Sequence, residues 1–244
     1  MSDTERSWWW RCAGAGLIVI GISLYFGMIP NIEGCTPDLD ASNLGSIIAF
    51  ELVRNPADVA ALFGTAPCTE PFVVAMRHAT WVDALLFIPA YSAFLICALM
   101  ALRGYGRSLA SVGIAAVAAA AIFDQIEGFW LFMIMDGLPG SQGEINWLIP
   151  AVRAKFALLG IGAICIGVLL TRHRGMGFVF GALVALGGVG TMALIIRDEY
   201  ASVTIQGSAI SWLALFVVAF LYAIIRMNPR ALVADVQSAE GPAD

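Results

Sequence analysis

The chain has 244 residues, 60% of them hydrophobic and only 13% charged, with a formal net charge of −5 and a mean hydropathy of +0.84. A water-soluble domain of this size has no need of so much apolar surface, so lipid must solvate most of it. The acidic balance also lacks the basic footprint that a phosphate backbone requires, which excludes nucleic acid as a partner.

Six apolar stretches are long enough to cross a bilayer at about twenty residues each. They fall near residues 12–29, 81–102, 109–135, 149–170, 176–196 and 207–225. The fold expected is all-α: a polytopic bundle of six transmembrane helices forming one domain over residues 1–228, followed by a polar cytoplasmic tail over 229–244. Arg6 and Arg11 give the first stretch the look of a secretion signal. Its apolar core is too long for one, and no small-x-small cleavage site follows, so an uncleaved anchor is expected.

Orientation follows from the loop charges. Arg103 and Arg107 lie between the second and third stretches, Arg172 and Arg174 between the fourth and fifth, and neither loop carries an acid. Glu33, Asp38, Asp40, Asp58, Glu70, Asp136 and Glu144 fall on the opposite side. The positive-inside rule then places both termini in the cytoplasm of a bacterial inner-membrane protein. Trp8, Trp9 and Trp10 read as an inner aromatic anchor, with Trp81 and Trp147 at the outer interface.

The only long loop runs over residues 30–80. Asn43 is a good N-cap for a helix over 44–54, which Asn55-Pro56 would end. Asn55 can cap a second helix over 56–63, with Pro56 at its first position and a stop at Gly64. Both helices are too apolar to face water all round and should lie on the outer surface or across the bundle mouth. Cys35 and Cys68 flank them on the oxidising side. A disulfide there would pin the loop with about 2–4 kcal/mol; the other reading is two free thiols. Gly177 and Gly181, with Gly187, Gly188 and Gly190, suit close packing inside the bundle.

Chemistry should be sought where ionisable residues converge in apolar sequence. Asp124 and Glu127 share one face of the third stretch. Asp83 falls in the first turn of the second, and Arg153 and Lys155 near the start of the fourth, just after Pro150. Glu51 and Arg54 share a face of the loop helix. Lys155 is the only lysine in the chain, placed where a helix N-terminus would repel it unless an acid paired with it; the other reading is that it snorkels to the outer lipid headgroups. Two readings are open to Asp124 and Glu127: an interhelical lock satisfied by Lys155, Arg153 or Gln125, or a site for binding or proton transfer. His78 and His173 sit at helix ends, so paired haem ligands are not available and no cofactor is expected. An all-carboxylate divalent-ion site is conceivable from Glu51, Asp83, Asp124 and Glu127, but no metal is assigned.

The segments FELVRNPADVAAL, VDALLFIPAY, FDQIEGFWL and VRAKFALL resemble a group of bacterial polytopic membrane proteins without an assigned activity. That resemblance covers roughly residues 47–170 and implies matching positions at Glu51, Asp83, Asp124, Glu127 and Lys155. Gly128 stands where the group's pattern has Asn. The leading expectation is a carboxylate and lysine cluster that binds or conducts a small cation, a proton-coupled solute or a lipid headgroup. The expected partners are the bilayer, a small cation or amphipathic molecule, and a second copy or a larger membrane complex. The alternatives are a membrane-embedded hydrolase working through Asp83 and Asp124, and an accessory subunit.

Overall fold

The computed structural model describes residues 3–35, 44–172 and 176–224. Asn43, His173, Arg174 and the polar tail lie outside the described residues. Those described are helical, with turns and no strand among them.

Helix α1 spans Asp3–Phe26. The loop after it carries α2 (Ser46–Glu51) and α3 (Pro56–Phe63). Then α4 (Thr69–Val82), a π-turn (Asp83–Phe87) and α5 (Ile88–Ala101) form one rod, followed by α6 (Arg107–Asp136), α7 (Gln142–Thr171), α8 (Met176–Thr191) and α9 (Ala201–Ile224). Six of these helical units are long and apolar enough to cross a membrane. They close a ring in the order α1, the α4–α5 rod, α6, α7, α8, α9 and back to α1. Trp9 and Tyr222 meet edge to face at 5.2 Å where α9 returns to α1. Trp9 is fully buried, so it belongs to the core rather than to an interfacial anchor; Trp10 beside it is exposed.

Five of the six helical units run longer than their apolar stretches. The rod begins at Thr69 rather than 81, which ends the long loop at Cys68. Glu70, Arg77 and His78 lower the hydropathy of its first turns. Yet Phe72, Ala75, Met76 and Ala79 bury one stripe at helical spacing. Helix α7 begins at Gln142 rather than 149. Ser141 and Glu144 form a reciprocal capping box there, and Pro150 lies inside the helix. At 1.5 Å per residue the rod is about 50 Å long, and α6 and α7 about 45 Å each, against an apolar bilayer core of about 30 Å. Their surplus forms a platform at the end of the bundle remote from the N-terminus, here termed the loop end.

The loop helices pack on that platform. Phe50, Val53, Val59, Leu62 and Phe63 are buried with Phe72, Ile134, Ile145 and Leu148 in a core of their own. Helix α2 is shorter than the 44–54 expected. Gly45 precedes it with φ of 88°, and its helical turns stop at Glu51. Asn55 is extended, as the residue before a proline must be, and its side chain accepts from the Asp58 N–H. Arg54 therefore leaves the helix, and its own N–H donates to Asp58. Cys35 and Cys68 form a disulfide, with Cα atoms 5.8 Å apart, that closes the segment.

The glycines of α8 serve internal contacts on two sides. A Cβ on Gly181 would lie 2.7 Å from Gly167 O of α7, and one on Gly187 2.6 Å from Gly207 O of α9. Backbones at this separation gain dispersion contact that larger residues would prevent. Gly207→Leu should therefore lower stability to denaturing detergent by about 1–3 kcal/mol, the usual cost of overpacking. Gly14→Ala, with nothing within 4 Å of the added Cβ, should leave it unchanged.

Candidate functional site

Two apolar cores share the same three long helices. On the rod, the loop-end core stops at Ala79 and the membrane core starts at Ile88; on α6 the limits are Leu131 and Ala120. On α7 they meet at Phe156 and Leu159. Asp83, Asp124, Glu127 and Lys155 occupy the seam between them.

Lys155 lies about 20 Å along α7 at 1.5 Å per residue, about two turns deeper in its helix than expected. Its ammonium is thus clear of the helix N-terminus and the dipole there. It donates to Glu127 Oε1 at 2.7 Å and to Glu51 Oε2 at 2.9 Å. Asp124 Oδ1 stands 3.4 Å away. An ammonium has three N–H donors, and here three acids surround it, one from α2 and two from α6. All four residues are buried, with 2–6% of their surface exposed. The Phe156 ring covers the ammonium at 4.7 Å from its centroid. Asp124 is held a second time: the Tyr91 hydroxyl donates to its Oδ2 at 2.8 Å. Glu127 Oε2 is buried without a hydrogen-bond partner among the described residues.

Tyr91 reaches this site because of the π-turn. In a regular helix, residues eight apart differ by about 80° in direction at about 100° per residue. Inserting one residue as a π-turn reduces the difference between Asp83 and Tyr91 to about 20°, so both face the seam. Ile88 N–H reaches back five residues to Asp83 O, and Pro89 has no N–H to give Ala84. Gln125 of α6 supplies the missing donor, 2.8 Å from Ala84 O. Gln125 thus repairs the rod and takes no part in the ion cluster.

Asp83 is therefore not in the first turn of its helix. It lies fifteen residues into the rod, partly buried, and its carboxylate has no ion-pair or hydrogen-bond partner among the described residues. With Glu51 it lines a cavity of about 710 Å³ at the loop end, bounded also by Phe26, Phe87, Ile47 and Ile205. Among the described residues no group of three or more His, Cys, Asp and Glu side chains is placed to hold a metal ion. The ammonium sits at the focus where such an ion would have to go.

His78 lies within α4 rather than at a helix end, hydrogen-bonded to the Tyr25 hydroxyl at 2.8 Å. At Gly128 an added Cβ would meet Thr80 Cγ2 at 3.8 Å, an ordinary contact, so the position is not reserved for glycine by space. The six apolar helices and the charged seam define a class, a helical bundle compatible with an integral membrane protein. Comparison with protein-family models, curated proteins and solved structures finds no match.

Removing one partner from a buried ion pair strands the others, at a cost of about 3–5 kcal/mol. Lys155→Met should destabilise the protein by that order in a detergent-unfolding titration. Adding Glu127→Gln to it should recover part of the loss. A double-mutant cycle with strictly additive effects would contradict direct coupling.

Proposed function

We propose that the chain is a multi-pass protein of a bacterial inner membrane whose seam cluster binds a cation from the loop end in exchange for protons. The membrane assignment is supported by the six long apolar helices. Cytoplasmic termini are supported by Arg103, Arg107 and Arg172 near one end of the bundle, against Glu33, Glu70, Asp136 and Glu144 near the other.

The observation that carries the functional reading is stoichiometric. Three carboxylates close on one ammonium within 3.4 Å, a formal balance of −2 from three negative charges and one positive. Asp83 at the cavity wall makes it −3. A lock between helices needs one acid for its base, and further buried acids only add desolvation cost. A site that takes up protons in one state and a cation in another needs the surplus. Lys155 then serves as a fixed counter-charge that lets the remaining acids vary in protonation. Tyr91 orients Asp124, and Glu51 couples the cluster to the cavity by belonging to both.

Adding Na⁺, K⁺ or tetramethylammonium to purified protein in weakly buffered detergent should release protons in a saturable manner, with matching loss of the protonated-carboxyl infrared band. Asp124→Asn and Glu127→Gln should each abolish release while the protein still elutes as a single folded species. Proton release and folding lost together would identify a structural lock. No release from the unaltered protein with any of the three cations would contradict the reading.

A further inference from the structure

We infer that the loop-end cavity takes a monovalent organic cation with an aromatic or aliphatic body, its charged head against Asp83 and Glu51. This inference rests on the cation-binding reading above and names the ligand class for that site.

Three features of the cavity select this class. The first is charge. Glu33, Glu51 and Asp83 line it, and among the described residues no Arg, Lys or His does. Among the described residues Asp83 has no hydrogen-bond or ion-pair partner, so a ligand head group placed there displaces no internal contact. The second is the remaining wall. Phe26 and Phe87 stand edge to face at 5.6 Å, and Phe87 continues to Tyr91 at 5.7 Å and Trp212 at 6.0 Å. Aromatic faces beside carboxylates are the chemistry that recognises substituted ammonium groups. Ile47, Ile48 and Ile205 extend the apolar surface past the reach of a bare ion. The third is size. About 710 Å³ falls in the range of small-molecule sites, about 300–1,000 Å³, and far exceeds what a metal ion needs.

A divalent ion is disfavoured at the same place by chemistry. Hard cations require several converging oxygens. Of the acids that line the cavity, Glu51 already directs an oxygen at Lys155. What the cavity offers a ligand is the carboxylates of Asp83 and Glu33, one carboxylate shared with Lys155, and an apolar wall. A permanently charged head with an apolar body satisfies all three at once.

The test compares benzyltrimethylammonium with tetramethylammonium, using equilibrium binding to the full chain in phosphatidylcholine nanodiscs together with proton release. The aromatic cation should bind at least tenfold more tightly. Phe87→Ala should erase that advantage, while Asp83→Asn should weaken both cations at least tenfold with unchanged elution and thermal midpoint. Equal affinity for the two cations, with proton release intact, would overturn the ligand class and leave the cation-binding reading standing. Undiminished binding to a folded Asp83→Asn variant would overturn the placement of the head group. Absence of both binding and proton release in the unaltered protein would overturn both readings.

Discussion

A single ammonium, enclosed by carboxylates that approach from different parts of the chain, is the constraint around which the loop end is organised. Charge at bilayer depth is tolerated only when it faces a protein interior and finds partners. Here Lys155 on α7 meets Asp124 and Glu127 on α6, and Glu51 from the loop helix α2. The third contact sets the geometry of everything above it. Glu51 reaches the seam only if α2 lies flat across the bundle mouth. That position is held by the buried Phe50 and Val53, by the packing of Phe63 on Phe50 and Phe72, and by the Cys35–Cys68 closure.

The apolar elements on either side isolate this cluster. Below it, small residues let α7, α8 and α9 touch backbone to backbone around Gly167, Gly181, Gly187 and Gly207. Above it, the platform of α4, α6 and α7 carries a second core that shields the acids from the loop-end solvent. Electrostatic interactions strengthen in such surroundings, so surplus negative charge in the seam is a strong source of attraction for protons and cations. A cavity at the loop end is lined by Glu51, a member of the cluster, and by Asp83.

Much of the architecture is legible in residue order, because lipid imposes long apolar runs that composition alone exposes. Helix α3 is equally legible: Asn55, Pro56, Asp58 and Gly64 carry their capping chemistry locally. The start of the α4–α5 rod is not, since Glu70, Arg77 and His78 suggest a loop to any hydropathy window. Only the 3–4 spacing of Phe72, Ala75, Met76 and Ala79 betrays the helix. The start of α7 had a readable signal in Ser141 and Glu144, outweighed by Pro150, which a helix tolerates here in its interior. At the site, Asp124, Glu127 and Lys155 announce themselves as ions in apolar sequence. The bond between Tyr91 and Asp124 does not, because it depends on a one-residue change of helical phase whose only local mark is Pro89. The cavity walls come from α1, α2, the rod and α9, a convergence that no periodicity encodes.

Because the chain holds one lysine, its side-chain nitrogen can be observed alone. Solid-state NMR of protein in lipid, with ¹⁵Nζ-lysine and ¹³C-carboxyl aspartate and glutamate, measures the surroundings of that nitrogen directly. The account predicts one slowly exchanging ammonium signal with through-space contacts to the carboxyl carbons of Glu51, Asp124 and Glu127, each assigned by loss of its cross-peak on amide substitution. A rapidly exchanging ammonium with contacts to lipid phosphate and none to these carbons would contradict it.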